Sequence, residues 1–182
     1  MLMRIITGTA RGRRLISPEG MDVRPTPERV KEALFSSIQF DIEGRRVLDL
    51  FAGSGQLGIE ALSRGAESAV FVDLSAESIK VVKHNLEVSG FTEKAKVYQS
   101  DYASFAAVNR GEYDIAFLDP PYKSGLLEPA LKAVCPLMSD YGIILCEHPE
   151  TVVLPDTVGD FSAVRRYRYG KVFITSYRKG AE

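Results

Sequence analysis

The sequence predicts an α/β fold, with a mostly parallel sheet of seven strands and an antiparallel hairpin at the carboxyl end. Three observations carry this prediction. Apolar runs of strand character recur at 46–50, 69–73, 95–99, 113–118 and 141–147. Helical patterns fill the gaps near 56–64, 75–89, 102–109 and 125–135. Two further β-like runs, Phe161 to Arg168 and Lys171 to Arg178, flank Tyr169-Gly170. Strands alternating with helices make a parallel βαβ series, whereas a tight turn makes its strands antiparallel.

Taken in order, Arg4 to Leu15 alternates β-favouring and small residues with glycines, which predicts a hairpin presenting Arg4, Arg11, Arg13 and Arg14. Thr26-Pro27-Glu28 reads as a helix cap followed by proline in the first turn. Val30, Ala33, Leu34 and Ile38 mark one face of that helix, and Arg24 and Arg29 flank its start. Residues 1–44 thus form a small basic extension before an α/β domain at 45–182. Within that domain, one helix opens at Ser75 and closes at Gly90, with Ile79, Val82 and Leu86 on its buried face.

A chain of 182 residues, 45% of them hydrophobic, buries one sizeable core. No apolar run approaches the ~20 residues of a membrane span, and the start lacks a signal-peptide core, so a cytoplasmic protein is expected. Cys135 and Cys146 form no CxxC pair, which argues against a disulfide framework or thiolate metal site; Cys146 lies in an apolar run as a core thiol. His84 and His148 have no partner ligands in sequence. The formal charge of −1 averages unlike regions. Residues 1–14 carry four arginines and no acid, and 165–182 carry six basic residues against Glu182. The intervening stretch is strongly acidic. If the ends meet, they form a cationic surface suited to a phosphate backbone.

The run Val47 to Gly58 is a strand, a glycine turn and a helix start, in which Gly53, Gly55 and Gly58 satisfy GxGxxG. Asp73 follows Gly53 by 20 residues, a spacing that places a carboxylate on ribose hydroxyls. Taken alone, this pattern fits a nicotinamide cofactor. Asp49 argues otherwise, because a carboxylate directly before the turn suits an ammonium group and opposes a pyrophosphate. Asp101-Tyr102 adds another carboxylate after the third strand, where an adenine amine could be read, although a helix cap explains Asp101 equally well. Asp49, Asp73, Asp101 and Asp119 end four successive strands, which favours S-adenosylmethionine with its cationic sulfonium and zwitterionic tail.

Asp119-Pro120-Pro121-Tyr122 joins a carboxylate, two prolines without N–H donors and an aromatic face at the end of a buried strand. A planar amine lying against Tyr122 would meet acceptors there. The turn does not distinguish adenine from guanine, or DNA from RNA. Arg165-Arg166-Tyr167-Arg168-Tyr169-Gly170-Lys171 interleaves cations with aromatics, as RNA contacts do, though a solvated edge hairpin has the same composition.

These motifs together resemble the class I S-adenosylmethionine-dependent methyltransferases, and within them the RsmD-type 16S rRNA guanine-N2 methyltransferases. The resemblance covers nearly the whole chain. It rests on Met3-Arg4-Ile5-Ile6-Thr7-Gly8 with Gly12-Arg13, and on Arg24-Pro25-Thr26 with Arg29 to Phe35. It extends through Asp49 to Gly55, Leu57 to Ala66, and Asp119 to Tyr122. It implies a Rossmann-like fold and cofactor roles for Asp49, Phe51, Gly53, Gly55, Asp73, Asp101 and Tyr102. The target amine falls to Asp119, Pro120, Pro121 and Tyr122, and RNA to Arg4, Arg11, Arg13, Arg14, Arg24, Arg29, Arg166 and Arg168. The implied target is guanine 966 of 16S rRNA within a small-subunit particle, modified by a monomer without metal or membrane. Gln56 stands where relatives usually carry a small residue, and Asp73 where many carry glutamate. A DNA adenine-N6 methyltransferase, a nicotinamide oxidoreductase and a non-catalytic RNA-binding module are the competing readings.

Overall fold

The structure is a computed structural model that describes residues 3–18, 28–122 and 124–180. Five strands run parallel: β5 (Ala95–Gln99), β4 (Ser68–Asp73), β3 (Arg46–Asp49), β6 (Tyr113–Leu118) and β7 (Met138–Pro149), in that spatial order. β10 (Val172–Lys179) and β9 (Phe161–Tyr169) continue the sheet antiparallel, and β8 (Thr157–Val158) closes its edge. The sheet therefore has eight strands where seven were expected. Two residues carry no periodicity, so β8 gave no signal in sequence. β7 also starts earlier than position 141, because a register shift in its pairing with β6 absorbs the polar residues after Met138.

The crossovers are α2 (Gln56–Ser63), α3 (Ala76–Ser89), α4 (Tyr102–Val108) and α5 (Leu127–Val134). Ser75 caps α3 by accepting the Ser78 N–H, and Gly90 ends it at φ 80°, as the pattern predicts. Side chains alternate across each strand, so consecutive residues feed opposite cores. Val47, Phe71 and Phe117 face Phe35, Ile59 and Val82, whereas Leu48, Val72 and Leu118 face Phe105 and Leu131. Burial on both faces makes the inner parallel strands read as apolar runs, whereas the edge strand β5 exposes Lys96, Tyr98 and Gln99.

At the amino end, β1 (Met3–Arg4) and β2 (Arg14–Leu15) pair as a short antiparallel ribbon, and α1 (Glu28–Ser37) follows. Arg24, Thr26 and Pro27 lie outside the described residues. This amino-terminal segment shares a core with the sheet: Met3, Ile5, Leu15 and Leu34 belong to the cluster containing Val47 and Phe117. It also covers α2, whose every residue is buried. Glu60 of α2 is fully buried, and its two oxygens accept the N–H groups of Ile6 at 2.8 Å and Thr7 at 3.0 Å. Arg64 Nε donates to it at 2.9 Å, and buried Lys31 Nζ lies 3.4 Å away while donating to the Arg4 carbonyl. Burial pushes the Lys31 ammonium below the usual lysine range, against the pull of Glu60. Gly8, at φ 89°, passes so close to Ser63 that a Cβ would stand 1.8 Å from its carbonyl oxygen.

Arg4 of the amino-terminal segment and Arg165 of the carboxyl-terminal hairpin sit at opposite ends of α1. Arg4 pairs with Glu28 at the start of α1, while Ser37 and Ile38 border a groove with Arg165 and Arg178. A helix of 10 residues separates these points, or about 15 Å.

Candidate active site

The parallel strands deliver Asp49, Asp73, Asp101 and Asp119 to one edge of the sheet, at or just beyond their carboxyl ends. This is the edge where ligands bind in open α/β folds. Gly53 and Gly55 turn the chain at φ 55° and 76°, conformations that a side chain disfavours. The three glycines serve different ends. A Cβ on Gly53 would meet nothing within 4 Å, leaving its backbone approachable, whereas one on Gly58 would stand 2.4 Å from the Phe71 ring. Gly58 thus lets α2 lie close against β4.

Gly55, at the α2 N-cap, has no side chain to cap the helix, and Asp49 does so from the adjoining strand. Its buried carboxylate accepts the Gly58 N–H at 3.0 Å. Burial, reinforced by Asp73, pushes the Asp49 carboxyl up to about 7 despite that hydrogen bond. Asp73 accepts the N–H groups of Gly53 and Ser75, each at 2.8 Å, and so fixes the turn. The approachable glycine backbone and surrounding carboxylates fit a cationic, hydroxyl-bearing ligand and would repel a pyrophosphate. Phe51 and Tyr102 face each other with ring centroids 6.0 Å apart. Asp101 caps α4, accepting from Ala103 and Ser104, and these bonds hold its carboxyl below the usual range. The helix-cap reading of Asp101 is therefore realised in the fold.

Asp119 lies just past the end of β6, the strand next to Asp49, one spacing of about 4.8 Å across and two residues further along. Pro120 is buried and Tyr122 is 42% exposed. Both proline carbonyls are open to a ligand as far as the sequence goes, but Pro121 accepts the Ser124 N–H at 3.0 Å and also its hydroxyl. That bond tightens the turn and leaves Pro120 as the proline better suited to an incoming amine. The Tyr122 hydroxyl donates to Glu147 at 2.9 Å. Glu147, only 4% exposed, sits at the end of β7 and orients the tyrosine ring from behind. Sequence reasoning passed over Glu147, although it ends the apolar run Ile143-Ile144-Leu145-Cys146 much as the aspartates end theirs.

A family model described as "Conserved hypothetical protein 95" matches residues 3–178. The chain belongs to that family. It is 44% identical to YlbH of Bacillus subtilis, provisionally named an rRNA methyltransferase, over 97% of this chain and 99% of that protein. It is 34% identical to "Ribosomal RNA small subunit methyltransferase D" of Escherichia coli K12, over 99% and 91% of the two chains. The solved structure of Escherichia coli yhhF, provisionally named a methyltransferase, superposes over 100% of both chains with a TM-score of 0.85 at 33% identity.

Within this member of the Conserved hypothetical protein 95 family, the arginines divide by position. Arg4 and Arg14 face each other on the ribbon, whose Met3 contacts Ser54 of the glycine turn. Arg13 donates to the Val88 carbonyl at the far end of α3, away from the carboxylates, and so caps that helix. Arg11 and Arg29 are exposed. Arg166 pairs with Asp156, and Arg168 pairs with Glu150 and lies over Phe173. His148 is buried against Thr175 at 2.9 Å, a satisfied polar role. Burial pushes the Cys146 thiol far up and that of Cys135 up to about 11. Among the described residues, no group of three or more His, Cys, Asp or Glu could hold a metal. No described helix is long and apolar enough to cross a membrane.

Proposed function

We propose that this protein transfers a methyl group from S-adenosylmethionine to the exocyclic N2 of a guanine in small-subunit ribosomal RNA. The observation that carries the reading is the Asp119 to Tyr122 turn, seated beside the glycine turn with its tyrosine fixed by Glu147. Family membership and the names of the relatives at 34% and 44% identity supply the ribosomal RNA. When bound, S-adenosylmethionine supplies an electrophilic methyl on a sulfonium. Asp49 would face its ammonium, Asp73 its ribose hydroxyls, and Phe51 and Tyr102 its adenine.

The remaining chemistry belongs to the chain. An exocyclic amine is a weak nucleophile because its lone pair is delocalised into the base. Accepting one N–H at the Asp119 carboxylate and the other at the Pro120 carbonyl aims that lone pair at the methyl carbon. Asp119 is also placed to take the proton released as the new C–N bond forms. Tyr122 offers a ring face to a base taken out of its stack, since a paired guanine hides its N2. Residues 1–44 serve in this reading as an RNA-binding extension and 45–182 as the catalytic domain, acting as a cytoplasmic monomer on guanine 966 within a small-subunit particle.

The test is transfer of labelled methyl to unmethylated small-subunit particles and to protein-free rRNA, followed by mapping of the modified base. N2-methylguanosine formed by wild type, with at least a hundredfold loss in Asp119→Ala, is expected. Methylation of duplex DNA at adenine, or calorimetric binding of a nicotinamide cofactor in place of S-adenosylmethionine, would overturn the reading.

A further inference from the structure

Three features of the carboxyl-terminal hairpin converge on one surface. The first is how the fold sorts its interleaved arginines and tyrosines. Strand alternation sends Arg166 and Arg168 to one face, where they bond Asp156 and Glu150. Arg165, Tyr167 and Tyr169 emerge on the other. Tyr169 packs against the core that contains α1, and Arg165 and Tyr167 line a groove of about 340 Å³ with Ser37, Ile38 and Arg178.

The second feature is the geometry of the rings. Tyr167 and Tyr169 are half-exposed and near-parallel at 28°, with centroids 6.4 Å apart. They stand side by side two residues apart on one strand, and Arg165 donates to the Tyr167 hydroxyl at 2.9 Å. Adjacent aromatic faces on a sheet are the arrangement on which single-stranded bases stack. The cations point to a polyanion. Arg178 is already paired with Asp41, so Arg165 is the cation better placed for a phosphate.

Position is the third feature. Tyr167 pairs with Ile174, Ile174 pairs with Glu147, and Glu147 stands one residue beyond the Leu118 to Cys146 pairing, level with Asp119. Three strand spacings separate Tyr167 from Asp119, or about 14 Å, within reach of a chain a few nucleotides long.

We propose that Tyr167 and Tyr169 form a stacking platform for two unpaired nucleotides flanking the target base, with Arg165 meeting the phosphate between them. The platform rests on the rRNA methyl-transfer reading and adds to it a site remote from the reacting atoms. It makes affinity depend on unpaired RNA beside the target.

The chain contains no tryptophan, so Tyr167→Trp places a single tryptophan, selectively excited at its red edge, on the platform. Its emission should be quenched by protein-free 16S rRNA and left unchanged by S-adenosylmethionine. The double variant Tyr167→Ala/Tyr169→Ala should bind that rRNA at least tenfold more weakly, while Tyr167→Phe/Tyr169→Phe stays within about twofold of wild type. Calorimetric binding of S-adenosylmethionine to each variant reports whether the fold is intact. Unquenched emission, or rRNA affinity unchanged in the alanine variant, overturns the platform even where wild type methylates rRNA. Failure of wild type to methylate rRNA instead defeats the functional reading beneath it.

Discussion

Replacing Glu60 by Gln tests how the amino-terminal segment is held. The change keeps shape and volume but removes the charge opposite Lys31, whose side chain is only 2% exposed. Breaking a buried pair from one side costs about 3–5 kcal/mol, because the remaining charge has lost its counter-ion. The new amide must also turn its NH₂ toward one of two backbone donors, Ile6 or Thr7, which each use a different oxygen. With a urea dependence of about 2 kcal/mol per molar, the unfolding midpoint should fall by about 1.5–2.5 M. Lys31→Met removes the partner charge and should cost less, because Glu60 keeps the Ile6, Thr7 and Arg64 donors. The double variant should recover part of the Glu60→Gln loss, giving a favourable coupling in the cycle. Trypsin should also cut Glu60→Gln faster at Arg11 to Arg14 than it cuts wild type. A midpoint within about 0.25 M of wild type, with no change in cleavage, would refute the argument.

Three further outcomes follow. Glu147→Ala should lower kcat at least tenfold with the KM for S-adenosylmethionine unchanged, whereas Glu147→Gln, still able to accept from Tyr122, should retain most of the rate; single-turnover methyl transfer separates the two. Asp49 has its folded pKa raised to about 7, so the stability it contributes at low pH is lost as pH rises through that value. A cationic ligand reverses the preference. Calorimetric affinity for S-adenosylmethionine should therefore climb up to tenfold per pH unit below about 7 and level off above, and Asp49→Asn should flatten the profile. Gly58→Ala, which brings a methyl against the Phe71 ring, should cost about 1–3 kcal/mol in urea unfolding and weaken S-adenosylmethionine binding by shifting α2.

The alternation of strands and helices was legible because the inner parallel strands are buried on both faces and leave clear apolar runs. Asp49, Asp73 and Asp119 were legible because each stops an apolar run, and Asp101 because it opens a helix just after a strand. Glu147 stops an apolar run too, but its role depends on Tyr122, 25 residues away, which no local pattern joins to it. Glu60 carried a different signal, a lone acid within the apolar helix Leu57 to Leu62. Its meaning depends on Ile6, Thr7 and Lys31, which are distant in sequence and which no local pattern joins to it. Whether the basic ends meet was equally illegible, because composition counts charges and does not show that α1 lies between Arg4 and Arg165.

Among the described residues, the outer side of β9 pairs with the two residues of β8 at Phe161 and Ser162, and the Ala163 N–H donates to the Asp156 carbonyl. Most of that strand therefore presents an open ladder on which another chain could grow. Arg165, Arg166 and Arg168 line this margin, and a second copy arriving edge to edge would bring its own three cations against them. Their mutual repulsion, partly offset by Asp156 and Glu150, would oppose propagation of the sheet between molecules. Neutralising all three arginines would consequently remove a safeguard against self-association, and a preparation made to study weakened RNA contacts could be lost to precipitation before any binding was measured.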